Sequence, residues 1–74
     1  MGNLRPLKPS EFVNVLGRCG FIQIRQRGSH VILRHSDGRW ATVPVHKGKD
    51  LTKGLIHKIL TDARLTWSDI EKFL

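Results

Sequence analysis

The run FIQIRQRGSHVILRHSDGRWATVPV, residues 21–45, has the most regular pattern in the chain. Three stretches within it are rich in β-forming residues and are predicted as strands: 21–26, 30–35 and 40–45. Gly28-Ser29 separates the first two strands, and the Asp-Gly pair within residues 36–39 is a strong hairpin signal. Pro44 has no N–H to donate, so we expect the third strand to lie at a sheet edge or to end there. The run therefore predicts three consecutive antiparallel strands.

Alternation within the middle strand leaves its buried face undetermined. Val31 and Leu33 lie on one side of the strand, and Ile32 lies on the other. The same alternation puts His30 and His35 on opposite faces. From the sequence alone, either face remains a candidate for the core.

Helices are predicted before and after the strands. Pro9 suits the first turn of a helix and Gly20 suits its end, which predicts a helix over residues 9–19. Its apolar face is formed by Phe12, Val13, Leu16 and Cys19. Thr52 is a suitable cap for a second helix, over residues 53–63. The inner stripe of that helix is formed by Leu55, Ile56, Ile59 and Leu60.

A short third helix is predicted at the C-terminal end. Thr66 and Asp69 are spaced as a capping pair, and the helix is expected to reach about residue 73. The residues expected to fold this helix back onto the core are Trp67, Ile70, Phe73 and Leu74. Residues 1–8 show no periodicity, and we expect them to form a loose arm.

The predicted elements define a single domain over residues 1–74, since a chain of 74 residues has room for one core. Their order is α-β-β-β-α followed by the short helix. The fold class is two-layer α+β, with a three-stranded antiparallel sheet and helices on one of its faces. Double-stranded-RNA-binding domains use the same order, although a fold by itself does not define a function.

The charge of the chain favours a polyanionic partner. Thirteen Lys and Arg residues against six Asp and Glu give a net charge of +7, which attracts nucleic acid. Eight of the basic residues fall in the sheet, its loops and the start of the second helix, which predicts a basic face: Arg25, Arg27, Arg34, Arg39, Lys47, Lys49, Lys53 and Lys58. Lys47, Lys49 and Lys53 bracket the N-terminus of the second helix, where free N–H groups favour a phosphate. Lysines that only keep a short loop soluble are the alternative.

The cysteine count and the hydropathy pattern bear on the cellular compartment. Cys19 is the single cysteine, so neither an internal disulfide nor a cysteine-based zinc site is expected, which is typical of a reducing compartment. No apolar run resembles a signal peptide or approaches the ~20 residues of a membrane span. We therefore expect a cytoplasmic protein that has no membrane partner.

The four histidines offer acid–base chemistry more readily than metal binding. They are His30, His35, His46 and His57, and their spacing does not predict a convergent zinc site. RNA carries its own nucleophile, the 2′-hydroxyl, so its internal cleavage needs a base, positive charge and a held geometry, and histidine suits proton transfer near neutrality. His30 is the favoured base, because Gly28 permits a close approach of the backbone and Ser29 offers a hydroxyl.

Several short motifs occur in a fixed order along the chain. They are Gly20-Phe21, Arg25-Gln26-Arg27-Gly28-Ser29-His30, Arg34-His35, Asp37-Gly38-Arg39, Val43-Pro44, His46, and Leu51 through Leu60 with Lys53-Gly54 inside. In this order and spacing the set resembles the signature of the HicA toxin family, over about residues 9–65. The Gly-Ser-His triplet alone is a weak signal.

The resemblance implies a double-stranded-RNA-binding-domain-like fold and the toxin role in a type II toxin–antitoxin system. It also implies mRNA cleavage without a metal or other cofactor, and neutralisation by a HicB-type antitoxin. The family's catalytic histidine falls on His30, and the flanking glycine and serine fall on Gly28 and Ser29. Val31 departs from the pattern, because the family often has a second histidine there, and this narrows the choice of a second acid or base.

The sequence therefore leads to the hypothesis of an endoribonuclease in which His30 takes the proton from a ribose 2′-hydroxyl. Arg25, Arg27, Lys47 and Lys49 would hold the phosphate and offset the charge of the transition state. The identity of the acid that protonates the leaving oxygen stays open: it is His46, His30 itself or water. Two alternatives use the same charge without catalysis: an RNA-binding module, and an interaction protein whose basic face binds an acidic partner.

Overall fold

The structure is a computed structural model that describes residues 4–74. Its elements are α1 (Pro9–Arg18), β1 (Phe21–Arg27), β2 (His30–His35), β3 (Trp40–Pro44), α2 (Lys53–Asp62) and α3 (Trp67–Glu71). The predicted α+β order is confirmed, and the predicted ends of the elements differ from the observed ends by no more than two residues. No helix among the described residues is long and apolar enough to cross a membrane.

The three strands form one antiparallel sheet in the order β1-β2-β3. The central strand begins at His30, which is paired with Arg27 of β1 and Pro44 of β3. The third strand therefore lies at an edge and also ends at its proline, so both parts of that prediction hold. The register of β1 shifts between Gln23 and Arg25, where Ile24 has no partner and forms a β-bulge.

The buried face of β2 is the face of Val31 and Leu33, which are 5% and 1% exposed. Helix α1 packs Phe12 and Leu16 against this face, and α2 adds Ile56, so one core joins the two layers. Directly paired residues of neighbouring strands point to the same side of a sheet. The register therefore assigns these residues to the opposite side, which we name the open face: Ile22, Arg25, Arg27, His30, Ile32, Arg34, Trp40, Thr42 and Pro44.

Local sequence signals account for the ends of the two C-terminal helices. Thr52 caps α2, since its side chain accepts a hydrogen bond from the N–H of Leu55 at 3.2 Å. Thr66 and Asp69 form the predicted capping box of α3. Ile70 is fully buried, as expected for the residue that holds this helix on the core.

Two expectations for the chain ends were wrong. Leu7, placed by the sequence in a loose arm, is 2% exposed and pairs with Leu51 through hydrogen bonds of 2.7 and 3.2 Å. Residues 1–3 of that arm lie outside the described residues. Leu74, expected to fold onto the core, is exposed, because the last helix ends at Glu71 and the packing stops at the partly buried Phe73.

Candidate active site on the open face of the sheet

His30 is the first residue of the central strand, and it is exposed on the open face. It follows a two-residue turn made by Gly28 and Ser29. The φ of Gly28 is +59°, and that of Ser29 is not positive, a combination that matches a type II′ hairpin turn with glycine at its first central position. The turn thus explains the glycine that precedes the histidine, and it places the imidazole at one end of the sheet.

Backbone contacts tie this turn to the loop that follows β3. The N–H of Val45 donates to the carbonyl of Ser29 at 2.6 Å, which continues the pairing of β2 and β3 by one residue. On the other side, the side-chain amide of Gln26 donates to the carbonyl of Gly28 at 3.1 Å. The turn is therefore held from both neighbouring strands, so the position of His30 is supported by rigid elements.

The β-bulge in β1 decides which face its arginines occupy. Before the bulge, Gln23 pairs with the core residue Leu33. After the bulge, Arg25 pairs with Ile32 and Arg27 pairs with His30, which puts both arginines on the open face. A one-residue change of register moves every following side chain to the other side of the sheet, so a regular strand would have turned these arginines toward the helices.

The loop between β3 and α2 brings a second group of basic residues to the same end of the sheet. Its first turn is closed by a hydrogen bond of 3.1 Å from the N–H of Lys49 to the carbonyl of His46. Gly48, at the third position, has a φ of +77°, which is typical of a type II turn. This loop and the start of α1 line an open depression of about 420 Å³, whose basic side chains are Lys8, His46, Lys47 and Lys49.

Lys8 is a member of this group that the sequence reasoning missed. The sequence predicts a loose arm over residues 1–8, but Lys8 precedes α1 directly as the N-cap residue and lines the same depression as Lys47 and Lys49. Pro9 could have predicted this position, because it marks the first residue of the helix and the residue before it is then the N-cap. Lys53 is the first residue of α2 and is exposed, and no acidic residue lies in the first turn of that helix.

His46 lies close to His30 in the sheet register. His30 pairs with Pro44, and the pairing continues through Val45. His46 therefore stands two residues beyond the direct partner of His30, where the chain has left β3 and begins the turn that is closed by Lys49. Both histidines are exposed and lie at the same end of the sheet.

Two of the eight predicted basic-face residues are engaged elsewhere, which corrects that prediction. Arg39 lies at the opposite end of the sheet, where its Nε is 2.8 Å from a carboxylate oxygen of Asp37 and its guanidinium donates to the carbonyl of Ala63 at 3.0 Å. The side-chain hydrogen bond from Arg39 lowers the pKa of the Asp37 carboxyl below its usual range. Lys58 lies on α2 and forms an ion pair of 3.5 Å with Asp62.

The motif residues at the opposite end of the sheet form a structural cluster. The ring of His35 packs edge-on against Phe21 with centroids 5.2 Å apart, and its Nδ1 accepts a hydrogen bond from the Asp37 backbone at 3.1 Å. A Cβ on Gly20 would lie 2.8 Å from Nε2 of His35, so the imidazole rests directly on the glycine. This cluster joins α1 to the sheet and takes no part in the basic end that holds His30.

Val31, the position where the family often has a second histidine, is buried on the core face. Its side chain points away from His30, because adjacent residues of a strand face opposite sides. The valine therefore removes no polar group from the open face of this chain. Over residues 4–74, no group of three His, Cys, Asp or Glu residues has an arrangement that could hold a metal ion.

These features define a class of protein: a small basic α+β domain with an exposed histidine and arginines on the helix-free face of its sheet. The family model for the HicA toxin of bacterial toxin–antitoxin systems matches residues 9–65. The chain therefore belongs to the HicA toxin family, and its role is that of the toxin in a toxin–antitoxin system. The comparison with curated proteins gave no match.

Proposed function

We propose that this chain is a metal-independent endoribonuclease that cleaves mRNA, with His30 as the general base. The observation that carries the proposal is the pairing of His30 with Arg27 on the open face, which puts a proton acceptor next to a permanently charged residue. Arginine is always protonated at physiological pH and binds phosphate oxygens through two parallel N–H groups. Membership of the HicA toxin family supports the same reading.

The proposed reaction uses the nucleophile that RNA supplies. His30 accepts the proton of a ribose 2′-hydroxyl, and the resulting oxygen forms a bond to the adjacent phosphorus. The bond from phosphorus to the 5′-oxygen of the next nucleotide breaks, and that oxygen takes up a proton. The products are a 2′,3′-cyclic phosphate and a 5′-hydroxyl end. Every electron pair stays within the RNA and the acid–base groups, so the step needs no oxidant, reductant or cofactor.

The proton for the leaving oxygen has a nearby candidate donor. His46 stands two residues beyond the direct partner of His30, and it carries an imidazole at the same end of the sheet. We assign it as the possible second acid or base, with His30 itself or water as the other sources. If the His46→Ala variant keeps full activity, the proton for the leaving oxygen comes from His30 or from water.

The phosphate backbone of the RNA would lie across the basic end of the domain. On the open face, Arg27 is the direct partner of His30, and Arg25 lies one row further along the same strand. Lys47 and Lys49 lie in the loop after β3, and Lys53 lies at the start of α2. The Gly28-Ser29 turn that precedes His30 is joined to the start of that loop by the hydrogen bond from Val45 to Ser29. Positive groups fixed before the reaction stabilise the charge that develops on the phosphorane oxygens, because they need no reorganisation in the transition state.

A HicB-type antitoxin would act in the cytoplasm by covering this same surface. The site is shallow and exposed, so a partner that lies on His30 and the neighbouring basic residues would exclude RNA sterically. An acidic antitoxin surface would match the charge of the site. The expected observation is that the purified complex fails to cleave RNA that the free toxin cleaves.

The test is digestion of single-stranded RNA by the purified chain in excess chelator, with His30→Ala and His57→Ala as a matched pair. Both histidines are exposed, but His57 lies on α2 away from the open face. We expect His30→Ala to lower the cleavage rate by about 10²- to 10⁴-fold, the usual effect of losing one acid–base group, and His57→Ala to leave it unchanged. The products should carry 2′,3′-cyclic phosphate ends.

Other outcomes separate the alternatives. A folded His30→Ala protein that cleaves at the original rate would remove the assignment of the base. An RNA mobility shift without cleavage by the unmodified chain would point to the non-catalytic RNA-binding module.

A further inference from the structure

The part of the open face farthest from His30 carries large apolar side chains that the proposed cleavage does not use. Ile22 is 66% exposed, Ile24 is 45% exposed and Trp40 is 46% exposed. Single exposed apolar residues are common, but Ile22 and Trp40 share one row of the open face, and the bulge residue Ile24 lines a depression with Ile22 and Arg34. Together they indicate a contact surface.

The sheet register places Ile22 and Trp40 on either side of Arg34. Ile22, Arg34 and Trp40 form one row across the three strands, with Arg34 in the middle. The guanidinium carbon of Arg34 lies 5.3 Å from the centroid of the Trp40 ring, which is a cation–π contact between the two side chains. This row lies four residues along β2 from His30, which is about 13 Å at the usual rise per residue.

We infer that the row of Arg34 and Trp40 is a base-stacking subsite for single-stranded RNA, next to the cleavage site. The inference rests on the proposed function. Aromatic side chains and arginine planes are the groups on which unpaired RNA bases stack. Trp40 offers a large exposed ring, and Arg34 offers a guanidinium plane in contact with it.

The cations of the open face connect this subsite to His30. The three successive rows along the sheet each contain one arginine: Arg27 beside His30, Arg25 beside Ile32, and Arg34 beside Trp40. A strand of RNA with its phosphates along these arginines would pass from the base-stacking row to the histidine. This continuity favours RNA as the occupant over a protein partner, because each row supplies a site for a phosphate.

The subsite requires single-stranded RNA, because bases within a duplex are stacked on each other and cannot stack on an indole. Acidic residues beside Trp40 do not oppose the binding of RNA. Asp37 and Asp62 line the same depression at the sheet edge, but Asp37 is paired with Arg39 and Asp62 with Lys58. Their charges are therefore largely compensated.

The experiment uses the full chain with His30→Ala, so that bound RNA is not cut, and with Trp67→Phe, so that Trp40 is the only tryptophan. Trp67 suits this change, because its indole N–H is buried and has no hydrogen-bond partner within the described residues. The probe is octauridylate, and the control is an octamer of the same phosphates without bases. We expect octauridylate to quench the Trp40 fluorescence and the abasic octamer to leave it unchanged.

Two substitutions at the subsite complete the test. Stacking of one base on an aromatic side chain contributes about 1–3 kcal/mol, so Trp40→Leu should weaken the binding of octauridylate about 5- to 150-fold. Trp40→Phe, which keeps an aromatic face, should restore most of the affinity. Neither variant should change the binding of the abasic octamer or the slope of affinity against salt, because no phosphate contact is removed.

The possible failures are distinguishable. If Trp40→Leu binds octauridylate as well as the parent does, or weakens the two octamers equally, the subsite is overturned, while His30-dependent cleavage would leave the proposed function standing. If the unmodified chain neither binds nor cleaves RNA, both are overturned. If Trp40 fluorescence responds to a HicB-type antitoxin and not to octauridylate, the surface is a protein-docking site and the RNA subsite is overturned.

Discussion

His30 and His35 lie at the two ends of the same strand and on opposite faces of the sheet. His30 is exposed on the open face, paired with Arg27. His35 packs between Gly20 and Phe21 at the junction with α1. Two residues of the same type, five positions apart, thus have different surroundings, and this difference separates a chemical role from a structural one.

The first prediction compares His30→Ala with His35→Ala. We expect His30→Ala to change the free energy of unfolding by less than about 0.5 kcal/mol, since it removes an exposed side chain. We expect His35→Ala to lower it by about 1–3 kcal/mol, because the aromatic contact with Phe21 and the packing on Gly20 are lost. Urea unfolding of both variants measures this, and RNA cleavage should be lost only in His30→Ala. Equal destabilisation by both changes would contradict the separation.

The second prediction concerns Arg64, which follows α2 with a φ of +56°. The N–H of Leu65 donates to the carbonyl of Leu60 at 2.8 Å, and that of Arg64 donates to Thr61 at 3.1 Å, which together form a Schellman motif. A non-glycine residue in this left-handed conformation costs about 1 kcal/mol. Arg64→Gly should therefore raise the free energy of unfolding by up to about 1 kcal/mol, measured by urea unfolding.

The matched control for that prediction is Gly20→Ala, where a left-handed glycine is replaced. The φ of Gly20 is +97°, and the new Cβ would also meet the ring of His35. We expect a destabilisation of about 2 kcal/mol or more, from backbone strain and the forced movement of the imidazole. If both changes shift the unfolding midpoint in the same direction, the assignment of strain at these two helix ends is wrong.

The third prediction is a pH dependence of stability that originates at Asp37. Its pKa is lowered chiefly by the side-chain hydrogen bond from Arg39, so the folded state favours the ionised carboxyl. The stabilisation is present above the unfolded pKa of about 3.9 and is lost as the pH falls through the lower folded value. The difference in unfolding free energy between the parent chain and Asp37→Asn should therefore shrink as the pH falls below about 4. If this difference stays constant down to about pH 2, protonation of Asp37 is not coupled to folding, and the prediction is wrong.

Local signals in the sequence were sufficient for the helices, the strands and their caps. Thr52, Thr66 and Gly20 act within a few residues of their own positions, and the structure places each where the pattern indicated. The pairing of Leu7 with Leu51 could not be predicted in this way, because the two residues are far apart in sequence and neither lies in a periodic segment. A contact of this kind depends on how the whole domain packs, and local sequence patterns do not contain that information.

The residues of the candidate site were proposed from the sequence, and their roles stay a prediction, but their arrangement could not be derived from the sequence. The order Arg25 to His30 and the turn glycine gave the position of the histidine. The face of the arginines depends on the bulge at Ile24, which alternation could not reveal, because a bulge breaks the alternation itself. The sequence also did not show that Arg39 is engaged away from the basic end, because the carbonyl to which it donates belongs to Ala63, the residue that follows α2.

The last prediction tests whether the face, and not the charge alone, determines RNA binding. After the bulge, Arg27 faces the open side and Gln26 pairs with the core residue Val31 on the other side. Exchanging the two, as Gln26→Arg with Arg27→Gln, keeps the net charge and the length of the chain but moves one cation off the open face. Each phosphate contact with single-stranded RNA contributes about −0.7 to the slope of log affinity against log salt. We expect the exchanged chain to bind octauridylate more weakly, with a slope shallower by about 0.7, and to cleave RNA more slowly.

The control for the exchange is Gln23→Arg, which adds a cation on the helix side of the same strand, where Gln23 pairs with Leu33. If position on the open face matters, this extra charge should raise affinity only through the general field and leave the slope nearly unchanged. If instead the exchanged chain matches the parent in affinity and slope, RNA is attracted by net charge, and the bulge has no part in the site. The exchange also removes the hydrogen bond from the Gln26 side chain to the Gly28 carbonyl, so it is compared with Gln26→Ala, which removes the same bond and keeps Arg27. A loss of affinity beyond that of Gln26→Ala, in a chain of unchanged stability, is assigned to the displaced guanidinium.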